Sequence, residues 1–201
     1  MSERKQLGQY LDVVMEEINS YLDGLDYDSL KNAKDLIMSV EKTNNRVHVT
    51  GIGKPGHVGS YITSLLSSTG TPTYELHGTE AVHGSAGQVL PNDVVIAISN
   101  SGETSELKAT VETLKRNGAK IISVVGNKDS WLGNAGDVVL FAGVKREGDS
   151  MNKPPRASIL AEMIVLQCLS VLLQNEKELT KEEYVKWHPG GALGQSIRDG
   201  K

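Results

Sequence analysis

The chain of 201 residues carries a net charge of −4 and is 38% hydrophobic, which is enough to bury a sizeable core without disulfide bonds. Its acidic balance and low aromatic content (two Trp, six Tyr and one Phe) argue against a nucleic-acid-binding protein, because such proteins usually present a basic surface with stacking aromatics. Cys168 is the only cysteine, which excludes an intrachain disulfide and disfavours a thiolate zinc site.

The first 44 residues predict two helices that precede the rest of the fold. One helix ends near Gly24, and a second is predicted over residues 29–42. The first helix carries an apolar stripe at helical spacing: Leu7, Leu11, Val14, Met15, Ile18 and Leu22. We expect residues 1–44 to pack on a domain formed by residues 45–201, the two parts making one structural unit.

From residue 46 onward, short β-branched runs alternate with helical patterns. Strands are predicted over residues 46–50, 73–76, 94–98, 120–125 and 138–141, and helices over 58–68, 104–117 and 157–173. This alternation predicts an α/β fold with a doubly wound, five-stranded parallel sheet flanked by helices. The helix at 157–173 is apolar nearly all round, as in a buried helix or one in a subunit interface.

The expected location is the cytoplasm. Polar residues rather than an apolar run follow Met1, so we expect no signal peptide. No apolar run approaches membrane-spanning length, so we expect a soluble protein without a membrane partner.

The turns after the predicted strands are expected to form the ligand site. In an open parallel sheet ligands bind at the carboxyl ends of the strands, so the turns after Thr50, Leu76, Ser99 and Val125 should converge on one crevice. The turn after Ser99 is rich in hydroxyls and opens a helix, whose first N–H groups and positive dipole favour a phosphate. The turn after Ser99 matches neither GxxxxGK[ST] nor a full GxGxxG, so a nucleotide is not the first expectation.

Five motifs carry a resemblance to a known family. They are GIGKPGH at 51–57, SSTGTP at 67–72, HGTEAVHG at 77–84, SNSGETSE at 99–106 and HPGGALG at 188–194. Over residues 45–195 the chain resembles sugar-isomerase (SIS) domains, and specifically the arabinose-5-phosphate isomerase family. It departs from that family at Pro55, where a serine is usual, in the polar segment 148–156, and in ending before the two CBS modules that many members carry.

The resemblance implies an aldose–ketose isomerase that converts arabinose 5-phosphate to ribulose 5-phosphate through an enediolate. It implies no cofactor and no metal, and a homotetramer with shared active sites. The matching catalytic residues are Lys54, Glu106, Glu147 and His188. The matching substrate-binding residues are Gly53, Gly70, Thr71, His77, His83, Ser99, Asn100, Ser101, Gly102 and Thr104.

These residue types suit the reaction, although each has a structural alternative. A carboxylate or imidazole can move the proton, and an ammonium or backbone N–H groups can stabilise the enediolate. Alternatively, Lys54 is a solvated turn residue, Glu106 complements the helix dipole, Glu147 is surface charge and His188 is a structural turn residue. His77 and His83 could instead bind zinc, although a clear third ligand is missing.

Two other functions remain open from the sequence. One is a non-catalytic regulatory module that binds a sugar phosphate, which needs only the phosphate-binding turn. The other is an isomerase of a different phosphosugar, such as a hexulose 6-phosphate. The altered segment 148–156 bears on the choice of sugar more than on the chemistry.

Overall fold

Five parallel strands form one sheet with the spatial order β2-β1-β3-β4-β5 in this computed structural model, which describes residues 2–190, 194 and 195. The strands are β1 (Val47–Gly51), β2 (Thr73–Glu75), β3 (Val94–Ser99), β4 (Lys120–Val125) and β5 (Val138–Phe141). The helices are α1 (Glu3–Asp23), α2 (Tyr27–Glu41), α3 (Lys54–Ser68), α4 (Ser105–Arg116), α5 (Trp131–Ala135), α6 (Ala157–Glu176) and α7 (Lys181–Trp187). Two 3₁₀ turns, Glu80–His83 and Ser85–Gln88, lie between β2 and β3. The predicted α/β class and five-stranded parallel sheet are confirmed.

The sheet separates two apolar cores, and β3 contributes to both because its side chains alternate between faces. Val94, Ile96 and Ile98 face the core formed with α2, α3 and α6. Val95 and Ala97 face the other core, which includes the buried side of α4. α3 and α4 therefore cover opposite faces of the sheet.

α3 begins earlier than predicted. The helix starts at Lys54 rather than at residue 58, directly after Gly53, whose φ of 65° ends the preceding turn. Pro55 lies in the first helical turn, where the missing N–H costs nothing because that group has no intrahelical partner. The glycines at 51, 53 and 56 suggested a longer turn, but tertiary packing extends the helix through Gly56. The short helices α5 and α7 were not predicted.

α1 packs through polar contacts and through Val14, which is buried, and leaves most of its apolar stripe exposed. Glu17 is buried and accepts hydrogen bonds from the Lys145 N–H at 2.8 Å and from Arg146 Nε at 2.7 Å. The Tyr21 hydroxyl donates to the Phe141 carbonyl at 3.0 Å. Four members of the predicted stripe are exposed: Leu7, Leu11, Met15 and Leu22.

The expectation that no apolar run approaches membrane-spanning length is wrong for α6. This 20-residue helix has a mean hydropathy of 1.8, so by length and composition it could span a membrane, contrary to the expectation that no apolar run comes close. Half of it is buried within the protein, where it packs on α2 and α3. Core helices of this kind meet the same criteria, so α6 is weak evidence for a membrane span.

A buried pair ties together the starts of β1 and β3. The Asp93 carboxylate accepts hydrogen bonds from the Arg46 and Leu90 N–H groups, both at 2.8 Å, and from His48 Nε2 at 3.2 Å. Burial lowers the pKa of His48. Burial alone would raise the pKa of Asp93, but these hydrogen bonds outweigh it and hold that pKa below its usual value.

The pair predicts a histidine-dependent loss of stability in mild acid. Because the pKa of His48 is lower in the folded state, its contribution is complete above the unfolded pKa and is lost as the pH falls from there toward the folded pKa. Between pH 7 and 5, wild type should therefore lose more unfolding free energy than His48→Gln, measured by urea denaturation. His57→Gln, which changes an exposed histidine, should match wild type. Equal slopes for wild type and His48→Gln would contradict this account.

Candidate active site

The carboxyl ends of β1 and β3 form the centre of a crevice. These strands are neighbours, with Gly51 opposite Ile98, and the helices that follow them leave to opposite faces of the sheet. Such a switch point is where ligands bind in open α/β sheets. A cavity of about 300 Å³ lies beside it, lined by residues 49–53, the first turns of α3 and residues 75–79.

The turn after β3 is held in shape by its own hydroxyls. Ser99 Oγ accepts the Gly102 N–H at 3.1 Å and lies 3.2 Å from Thr104 Oγ1. Ser101 Oγ accepts the Glu103 N–H at 3.2 Å. Gly102 has a φ of 67°, and a Cβ there would collide with the Ser130 side chain, so only glycine fits. Ser99 is buried and Ser101 exposed, so the Ser101 hydroxyl is the one open to solvent.

The first turn of α4 is open to an anion. Its N-cap residue, Thr104, makes no side-chain capping hydrogen bond, so the first N–H groups lack the partner that most helices provide. Glu106 lies in this turn, and its carboxylate accepts the Ser105 hydroxyl at 2.9 Å. Hydrogen bonds from its own N–H and from Ser105 lower the pKa of Glu106, so it is ionised at neutral pH.

Lys54 is the first residue of α3 and follows the neighbouring strand β1. Its side chain is exposed and makes no hydrogen bond or ion pair with the described part of the chain. Gly51 lies against the backbone of the same turn, where a Cβ would come within 2.8 Å of the Pro55 carbonyl carbon. The close approach of β1 and α3 fixes the position from which the Lys54 side chain extends.

The two predicted histidines follow β2. His77 lines the cavity, and its Nδ1 lies 3.4 Å from both the Thr79 and Glu80 N–H groups. If Nδ1 accepts these bonds, the neutral imidazole carries its proton on Nε2. His83 ends the following 3₁₀ turn and is exposed. Over residues 2–190, no three His, Cys, Asp or Glu side chains come together in a way that could hold a metal ion.

Glu147 caps the start of α6. Its Oε2 accepts the Arg156 N–H at 2.6 Å and the Ser158 N–H at 3.1 Å. A carboxylate at this place complements the positive end of the helix dipole. Glu147 is therefore a structured group at a helix N-terminus, and the reading of this residue as plain surface charge is wrong.

The packing of α6 beside α3 brings Glu147 to the same edge of the sheet as Lys54. Both helices follow strands and begin at the carboxyl edge, and the Thr69 and Ser170 hydroxyl oxygens lie 3.3 Å apart near their other ends. At a rise of 1.5 Å per residue, the first residue of each helix lies roughly 20–22 Å along the helix axis from this contact. Their first turns, and with them Lys54 and Glu147, lie at a similar height.

Three predicted site residues lie at the opposite edge. Gly70 and Thr71 precede β2, and Lys177 Nζ donates to the Gly70 carbonyl at 2.8 Å and the Thr71 hydroxyl at 2.7 Å. His188 follows α7 and stacks on Tyr184 at 4.0 Å. α7 lies at this edge because the Trp187 ring is 3.2 Å from where a Gly70 Cβ would be.

The structure does not bring these three residues together with the crevice of the same chain. Strands of five residues separate the two edges, a span of roughly 17 Å. Gly70 and Thr71 anchor the end of α6 in this chain. Of the HPGGALG motif, residues 191–193 lie outside the described residues.

Two crevice residues had no strong signal in the sequence. Glu75, the last residue of β2, lines the cavity and accepts the Ser60 hydroxyl at 2.6 Å. His57, the last residue of the GIGKPGH motif, lies in the first turn of α3 and also lines the cavity. Their positions at a strand end and a helix start were the available clue.

The chain is similar to proteins of known family. A protein-family model described as the SIS domain matches residues 41–172. Arabinose 5-phosphate isomerases KdsD of Shigella flexneri and of Escherichia coli strain K12 are each 41% identical over 152 residues, which is 76% of this chain and 46% of theirs. The chain therefore spans about half the length of these curated relatives.

Solved structures share the fold over most of the chain. The structure of c3406 from E. coli CFT073 in complex with a sugar phosphate has a TM-score of 0.78 at 32% identity, covering 94% of this chain and 100% of that one. A structure from Listeria monocytogenes has a TM-score of 0.87 at 24% identity, with coverage of 94% and 100%. The second shows the shared fold alone.

The two serines of the turn after β3 predict separable effects. Ser101→Ala should weaken binding of a pentose 5-phosphate by about tenfold or more, since a hydrogen bond to a charged group contributes roughly 1.5–3 kcal/mol. Its melting temperature should stay near that of wild type, because Ser101 is exposed. Ser99→Ala should weaken binding and also lower the melting temperature, because Ser99 holds Gly102. Calorimetry that gives wild-type affinity for both variants would contradict a phosphate site here.

Proposed function

The chain belongs to the SIS domain family, whose model matches well over half of it, and from this premise we propose that it is an aldose–ketose isomerase of a sugar phosphate. The proposed pair is arabinose 5-phosphate and ribulose 5-phosphate, supported by the 41% identity to arabinose 5-phosphate isomerases. The observation that carries the proposal is the open first turn of α4 beside Lys54, at the end of the neighbouring strand. An anion site and a solvent-exposed cation at adjacent strand ends suit a phosphorylated sugar.

The substrate phosphate would bind at the start of α4. The N–H groups of that turn and the Ser101 hydroxyl donate to it, and the helix dipole favours its charge. Asn100 and Gly102 belong to the same turn. The sugar carbons would then extend across the end of β1 into the cavity lined by Gly53 and His77, with His83 nearby in sequence.

The crevice edge also supplies groups for proton transfer. Isomerisation of an aldose moves the proton from C2 to C1, while the hydroxyl proton at O2 passes to O1, so the intermediate is an enediolate. Lys54 would stabilise its negative charge. Glu106 and Glu147 are the carboxylates that can take up the carbon proton and return it. The Oε1 atom of Glu147 is the oxygen not engaged by the α6 amides.

His188 requires a second chain in this proposal. It lies at the edge of the sheet opposite the crevice, so it would act in the site of a neighbouring copy. The exposed stripe on α1 and the half-exposed side of α6 offer apolar surface for such contacts. We propose a homotetramer with shared active sites, located in the cytoplasm.

The proposal is tested by following sugar phosphates in D₂O by ¹H NMR. Arabinose 5-phosphate should form ribulose 5-phosphate, and deuterium should enter at the carbons that exchange the proton. Lys54→Met should turn over at least about a hundredfold more slowly, the loss typical of removing one donor to a developing oxyanion. It should still bind the substrate, because the phosphate site is intact.

A second lysine provides the matched control for this substitution. Lys108 lies on α4, with its Nζ 5.0 Å from the centre of the Trp131 ring. Lys108→Met removes the same charge outside the crevice and should keep wild-type turnover.

Other outcomes would replace the proposal. Binding of pentose phosphates without any exchange would favour a regulatory module. Faster turnover of a hexulose 6-phosphate than of a pentose phosphate would change the substrate.

A further inference from the structure

Glu162 is a carboxyl group with unusual surroundings in the second turn of α6. It is fully buried, and neither carboxyl oxygen has a hydrogen-bond partner among residues 2–190, 194 and 195. An ionised carboxylate without a partner is costly to bury, so such a group keeps its proton. Burial, and to a lesser degree the negative charge of Glu147, raise the pKa of Glu162 to about 8.

The helix directs this carboxyl toward the turn that Glu147 caps. Long side chains on a helix point back toward its N-terminus and lie over the residue four positions earlier. For Glu162 that residue is Ser158, whose N–H donates to Glu147 Oε2 at 3.1 Å. The Ser158 hydroxyl is also buried without a partner in the described structure. Ser158 thus connects the two carboxyls: its N–H is bonded to Glu147, and it lies one helical turn before Glu162.

Other charged groups around α6 do not compete with this relation. α1, α2 and α3 pack against it. Lys34 pairs with Glu176 and Glu41 with Lys177 at the far end of α6, and Glu17 pairs with Arg146 in the loop before it. Lys54 and His57 lie at the start of α3. At the start of α6 itself, Arg156 pairs with Asp149, and the charge that raises the pKa of Glu162 is that of Glu147.

We propose that Glu162 is a positioning residue that acts through Glu147: its buried, neutral carboxyl adds no second negative charge to the turn that Glu147 caps. When Glu162 releases its proton to solvent, a second negative charge lies beneath Glu147. That charge favours the protonated form of Glu147 and opposes the anionic intermediate. The effect on catalysis rests on the isomerase function proposed above, whereas the neutral state of Glu162 does not.

The neutral state is tested by thermal unfolding between pH 5 and 9. Because the pKa of Glu162 is raised from 4.5 to about 8 in the folded state, wild type should lose stability as the pH rises between these two values, and Glu162→Gln should not. The variant should therefore gain in melting temperature relative to wild type up to about pH 8. Glu162→Met, which also removes the carboxyl, should show the same pH dependence of the melting temperature and replaces Glu162→Gln where the glutamine amide packs poorly.

The control for this measurement is Glu176→Gln, which changes an exposed carboxyl on the same helix. Its difference in melting temperature from wild type should stay constant over the same pH range. A constant difference for Glu162→Gln as well would overturn the proposal.

The action on Glu147 is tested by the pH dependence of turnover. Between pH 7 and 9, kcat/KM of wild type should fall about tenfold further than kcat/KM of Glu162→Gln, because only wild type loses the protonated form of Glu162. A merely structural role would move the melting temperature and leave the two pH profiles parallel. Parallel profiles would overturn the positioning role.

A failure of the proposed isomerase function is distinguishable from a failure of this inference. If no sugar phosphate turns over, the ¹³C carboxyl resonance of Glu147, assigned with Glu147→Gln, reports the coupling directly. A titration step near pH 8 in wild type that is absent in Glu162→Gln supports the inference. No such step in either protein overturns it.

Discussion

The first turn of α4 comes after β3, and its N-cap residue, Thr104, makes no side-chain hydrogen bond to its amide groups. A helix N-terminus left open in this way carries partial positive charge that only an anion or water can satisfy. The turn is kept open by a specific arrangement, in which Gly102 adopts a positive φ against Ser130 and Ser99 bonds back to its N–H. Because β3 is buried along its whole length, this geometry is set by the core and does not depend on the ligand.

The remaining charges are arranged around that opening. Lys54 extends from the neighbouring strand end, and Glu106 and Glu147 are each held at a helix start. Hydrogen bonds from its own N–H and from Ser105 lower the pKa of Glu106, and Glu147 accepts the Arg156 N–H. Glu162 differs because no donor among the described residues reaches it, so burial keeps it neutral. Environment rather than residue type therefore separates two of these glutamates: burial raises the pKa of Glu162, and hydrogen bonds lower the pKa of Glu106.

The sequence predicted the sheet well because the signal is local. The runs at 94–98 and 120–125 are apolar and β-branched, and both are fully paired parallel strands. The predicted start of α3 was wrong. Gly53 and Gly56 cannot be told apart in sequence, but only Gly53 has a positive φ, and the helix begins directly after it. Periodicity found the α1 stripe, but it could not show that of this stripe only Val14 is buried and that α1 also packs through Glu17 and Tyr21. The site was predicted less completely. Whether a residue precedes or follows a strand decides which edge of the sheet it reaches, and the motif alone does not show this. Ser101 and Lys54 follow strands and reach the crevice edge, whereas Gly70 and Thr71 precede β2 and lie at the other edge. Glu162 gave no signal, since one carboxyl in an apolar helix does not show from sequence whether a partner reaches it.

Completion of one chain's crevice by His188 of another chain is the central claim, and mixing two variants tests it. Lys54→Met and His188→Ala, each predicted to lose most of its turnover by itself, are unfolded and refolded together. Arabinose 5-phosphate turnover is predicted to reappear in the mixture, because some sites then combine an intact Lys54 with an intact His188 from a different chain. A mixture that forms mixed oligomers, shown by native mass spectrometry, yet stays inactive would contradict the claim.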